Sequence, residues 1–68
     1  MLSAAELTSC RDLLVSAKTS ALWVATMFHG DGNIGAAARL RRIAAQLDSE
    51  IEDIDRLLSA PPSAPPKP

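Results

Sequence analysis

His29-Gly30-Asp31-Gly32-Asn33 is the stretch that decides the fold. On either side of it lies a long amphipathic segment, Ser3 to Phe28 before and Ile34 to Leu58 after. Gly30 is placed to take the left-handed conformation that ends a helix, and Asp31 or Asn33 can cap the next, which is the short connection of an αα-hairpin. The two helices are expected to run antiparallel. The fold class is all-α: an antiparallel helical hairpin over residues 1–58 (helix 1 about 3–28, turn 29–33, helix 2 about 34–58), with a proline-rich extended tail at 59–68.

Outward from the turn, each segment carries its own signals. Ser3-Ala4-Ala5-Glu6 is a capping box, and Leu2 and Leu7 sit where a hydrophobic staple belongs. Leu7, Cys10, Leu14, Ala17, Ala21, Val24 and Phe28 then recur at spacings of three and four, with Leu13 and Ala25 widening the stripe. Helix 2 carries Ala36, Leu40, Ile43, Ala44, Leu47, Ile51, Ile54 and Leu58 on one side. Two such stripes exceed what one hairpin can cover, so pairing of hairpins into a four-helix bundle is expected. Leu14, Ala21, Phe28, Leu40, Leu47, Ile51 and Ile54 are its expected oligomer interface.

Length and composition exclude several function classes. A chain of 68 residues holds one domain, and a core of this size supplies only ~3–5 kcal/mol unless something staples it. Cys10 is the only cysteine and His29 the only histidine, so neither an intrachain disulfide nor a zinc site is expected, and no metal or cofactor. Seven basic residues against eight acidic ones create no field that draws in nucleic acid. The longest apolar run, Ala21 to Ala25, is far too short to cross a bilayer. Met1-Leu2-Ser3 opens the chain without a basic region, so a cytoplasmic location is expected.

Three features carry the functional expectations. Trp23 and Met27 fall nearly opposite the Leu7/Leu14/Ala21 stripe at about 100° per residue, and with Leu22 they form a candidate partner-binding surface. In helix 2, Arg39, Arg41 and Arg42 precede Asp48, Glu50, Glu52, Asp53 and Asp55, an order opposite to that favoured by the helix dipole. An antiparallel helix 2 from a second copy would set basic beside acidic halves. Glu52/Arg56 is the expected local relief. Finally, Asn33, Gly35, Arg39 and Arg42 are a candidate anion site at the turn and the start of helix 2.

Enzymatic chemistry has no support, because a lone imidazole without a nucleophile partner makes no site. Cys10, on the core stripe, is expected to behave as a small hydrophobe. Pro62-Ser63-Ala64-Pro65-Pro66-Lys67 fits a PxxPx-Lys pattern, but such matches are common by chance in proline-rich tails and a disordered extension is the better reading. In size and architecture alone the chain resembles dimeric antiparallel hairpins of the Rop type. The expected function is a non-enzymatic protein–protein interaction module, an adaptor, inhibitor or chaperone-like regulator, acting as a homodimer or with another helical protein. The alternative is an oligomer that binds an anionic small ligand or nucleotide.

Overall fold

The structure, a computed structural model, describes residues 1–59. The tail at 60–68, with its PxxP pattern, lies outside the described residues. Two helices, α1 (Ala4–Gly30) and α2 (Ile34–Ser59), pack against each other as a hairpin.

Helix α1 starts where the capping box places it. The Glu6 amide donates to Ser3 Oγ at 3.1 Å and the Ser3 amide donates to Glu6 Oε1 at 2.9 Å. The bond from the Ser3 amide foremost, and then the Ser3 hydroxyl beside it, hold the Glu6 carboxyl below its ordinary range.

At its other end α1 runs two residues past Phe28, and Gly30 is helical. The left-handed residue is Gly32, at φ 87°, not Gly30 as the turn sequence suggested. The hydrogen bonds explain the shift. Asn33 N–H donates to Phe28 O at 2.9 Å and Gly32 N–H to His29 O at 3.1 Å, the two bonds of a Schellman motif with Gly32 as its glycine. Asn33 caps α2 immediately, its Oδ1 accepting from the Ala36 amide at 3.1 Å.

The seam between the helices keeps a coiled-coil spacing. In α1 it follows Leu7, Arg11, Leu14, Lys18, Ala21 and Ala25, and in α2 Ala37, Leu40, Ala44, Leu47, Ile51, Ile54 and Leu58, all buried or half-buried. Steps of three and four alternate throughout, as a helix packed along a partner requires. This phase corrects part of the stripe expected in α1. Val24 and Phe28 are 39% and 38% exposed and Ala17 is exposed, because Ala25 and Lys18 take the seam positions and leave those three to one side.

Among the described residues the buried set is Ala25, Ala36, Ala37, Ala44 and Ile51, and no large side chain is fully buried. Each buried methyl supplies only about 1 kcal/mol, whereas fixing each residue's backbone costs ~1–2 kcal/mol. The seam is therefore thin in apolar burial, most of all near the turn, where it is built of alanine.

Candidate interaction surface

The seam holds two cations, and both are met across the hairpin. Lys18 Nζ donates to Asp48 Oδ1 at 2.8 Å, and Arg11 Nε donates to Asp55 Oδ1 at 2.5 Å. Asn33 is equidistant in sequence from Lys18 and Asp48, and likewise from Arg11 and Asp55, so both pairs sit in one register. Part of the charge order of α2 is thus compensated by α1, inside the chain. Asp48 and Asp55, in the acidic half of α2, are the carboxylates paired in this way. Arg56 pairs with Asp53, not with Glu52. Arg39, Arg41 and Arg42 form no salt bridge among the described residues, nor do Glu50 and Glu52.

Helix α1 differs from α2 in having almost no charge to turn to water, its exposed polar groups from Leu13 to Phe28 being the hydroxyls of Ser16, Thr19, Ser20 and Thr26. From Leu13 to Phe28 its one charged residue is Lys18, and that one is committed to Asp48. Leu13 is 71% exposed, Trp23 66% and Met27 64%, on the side of α1 turned away from α2. Trp23 and Met27 make a ridge with a shallow groove on each flank. One groove is lined by Thr19, Leu22, Trp23 and Thr26, the other by Val24, Met27, Phe28 and Asp31. The threonines add little polarity, because Thr19 Oγ1 donates to Val15 O and Thr26 Oγ1 to Leu22 O, each at 3.0 Å.

Leu22, Trp23 and Met27 are all exposed, at 40%, 66% and 64%, Leu22 and Met27 lining different grooves. Of the expected interface residues, Leu14, Ala21, Leu40, Leu47 and Ile54 lie half-buried along the seam, Ile51 is buried and Phe28 is exposed. At the turn, Asn33 spends its side-chain oxygen on the Ala36 amide and its carbonyl on Ala37 N–H, so two of the amides an anion would need are taken. Arg39 folds back along α2, its Nη1 3.6 Å from where a Cβ on Gly35 would sit. Gly35 is therefore not a point of tight helix packing. Arg42 is exposed.

Sequence reasoning missed Arg11, Lys18, Asp48 and Asp55 as a set. The signal was present in the equal distances from Asn33, once the turn is taken as a centre of symmetry. Among the described residues no cluster of side chains suited to a metal is present, and no helix is long and apolar enough to cross a membrane. Comparison with protein-family models, curated proteins and solved structures finds no match to the chain.

Proposed function

We propose that the chain is a non-enzymatic protein–protein interaction module, an adaptor, inhibitor or chaperone-like regulator that works in the cytoplasm by helix-to-helix association, with itself or with a helical partner. The observation that carries this reading is the charge-free run of α1 from Leu13 to Phe28, apart from the committed Lys18. A helix that turns large apolar side chains and almost no charge to water over so long a run is suited to association within a larger assembly. Trp23 on a ridge between two apolar grooves supplies the kind of anchor that dominates binding energy at interfaces. The thin alanine seam points the same way, since association adds the apolar burial that the hairpin lacks.

Native mass spectrometry of the tagged chain isolated from its own cells tests the reading. The expected species is a complex heavier than the 7.2 kDa chain. Isolation of the bare, folded chain alone overturns it.

A further inference from the structure

The ion pairs divide the hairpin into two unlike flat faces. Lys18, Arg11, Asp48 and Asp55 mark one. At about 100° per residue, Cys10, Ala17 and Val24 fall on the other side of the α1 seam with Phe28 at their edge, and Ile43, with Glu50 one heptad on, falls on the other side of the α2 seam, edged by the seam residues Leu47 and Ile54. Because the helices are antiparallel and the ion pairs join like sides, these two apolar rows share the second face. Val24, Phe28 and Ile43 are 39%, 38% and 46% exposed there.

We infer that this apolar face takes a second copy of the same chain, antiparallel, about a two-fold axis crossing α1 at Ala21 and α2 at Ala45. The inference rests on the interaction reading above and names the partner. Its first support is self-complementarity, which a two-fold interface demands. Leu14 and Phe28 are equidistant from Ala21, so the Leu14 of each copy meets the Phe28 of the other, while the small Ala21 side chains meet at the axis. In α2, Ile43 and Leu47 are equidistant from Ala45, as are Ala36 and Ile54. Ala21 and Ala45 are themselves equidistant from Asn33, so a single axis serves both helices.

Charge is the second support. Arg39, Arg41 and Arg42 lie at the turn end of the hairpin, and Glu50, Glu52 and Asp53 towards its open end. Antiparallel stacking brings opposite ends together, with Arg39 at the rim of the face near Glu50 of the second copy, a carboxylate in the row of Ile43 that needs a cationic partner once covered. Neither residue has a salt bridge among the described residues. Parallel stacking instead gathers six arginines at one end and the carboxylates at the other, an arrangement that like-charge repulsion disfavours. Trp23 stays outside the dimer, on the back of α1, while Met27, which shares a groove with Val24 and Phe28, lies at its edge.

Cysteine cross-linking in the full chain tests the geometry. In a Cys10→Ala background, Ala21→Cys is expected to give a covalent dimer under mild oxidation or with a short bis-maleimide, because the two copies of position 21 meet at the axis. Trp23→Cys, on the back of α1, is the comparison variant and is expected to stay uncross-linked. In parallel, Arg39→Glu is expected to weaken dimerisation about ten-fold by losing two rim pairs, and adding Glu50→Arg to recover most of it. A folded monomer by light scattering at ~100 μM, well above ordinary interface affinities, overturns the second copy as occupant. So does a dimer that cross-links through position 23 and not 21. In either case a heavier complex isolated from cells leaves the interaction reading standing, so the two failures are distinguishable.

Discussion

Lys18 Nζ lies 2.8 Å from Asp48 Oδ1, and one heptad nearer the open end Arg11 Nε lies 2.5 Å from Asp55 Oδ1. Two cations thus occupy seam positions that apolar residues would otherwise fill, and each is matched by a carboxylate on the other helix. The Lys18 and Asp48 side chains remain 33% and 55% exposed, so the pair acts more through register than through strength. A double-mutant cycle of Lys18→Ala and Asp48→Ala is expected to give a coupling energy below ~1 kcal/mol. Raising salt to about 1 M should shrink it further. A coupling several-fold larger would show the pair to be a principal stabiliser, contrary to its exposure.

The two turn glycines should respond to alanine with opposite signs. Gly30 is helical with open space where a Cβ would go, so Gly30→Ala is expected to stabilise by ~0.4–1 kcal/mol. Gly32 sits at φ 87°, where a Cβ is strained, and Gly32→Ala should cost ~1–2 kcal/mol. Thermal unfolding of both variants measures this directly. Equal effects at the two sites would contradict the Schellman geometry.

Ile51 is 6% exposed and is the one core residue larger than alanine. Ile51→Ala should cost ~2–5 kcal/mol, a large share of what so small a chain can have. Trp23→Lys, on the exposed ridge, should leave helicity nearly unchanged while removing a partner that uses that ridge. Circular dichroism separates the two variants, and comparable loss of helix in both would place Trp23 in the fold and not on its surface.

The Glu6 carboxyl is held below its ordinary range first by its bond from the Ser3 amide and then by the Ser3 hydroxyl at the helix start. A carboxyl whose folded-state value is lowered contributes stability above its unfolded value and loses it as pH falls through the folded one. The first turn of α1 is therefore expected to fray on acidification through and below the ordinary glutamate range. Glu6→Gln should abolish that pH dependence, followed by the amide signals of Ser3 and Glu6.

The turn should not act as an anion site, because Asn33 already holds the Ala36 and Ala37 amides. Inorganic phosphate and a nucleotide panel are expected to leave Tm unchanged beyond the general effect of salt. A saturable rise that disappears in Arg39→Ala or Arg42→Ala would restore the ligand reading.

The hairpin and its capping box were legible because they depend on local signals: Ser3 and Glu6 three residues apart, and a glycine-rich break between two apolar periodicities. The place of Gly32 was less so, since either glycine could end α1 and only the hydrogen bonds of Gly32 and Asn33 decide. Helical periodicity also marked an α1 stripe wider than the seam. Which residues of such a stripe face α2 depends on where α2 lies, so Val24 and Phe28 could not be separated from Ala25 by spacing alone. The cations were missed for a related reason, because a charged residue in a seam makes sense only together with its partner across the turn. For the candidate surface, Trp23 and Met27 followed from the wheel, whereas the absence of charge around them became meaningful only once Lys18 was seen to be committed.

The unequal helices have a consequence for how the protein is made. Synthesis proceeds from the N-terminus, so α1, with its charge-free run from Leu13 to Phe28, leaves the ribosome before the carboxylates of α2. Until Asp48 and Asp55 follow, Lys18 and Arg11 lack their partners and the apolar seam of α1 has nothing to pack against. The emerging chain is thus at its least soluble while α1 is free and α2 has yet to follow. Its hazard is a brief window in time that closes when the second helix emerges.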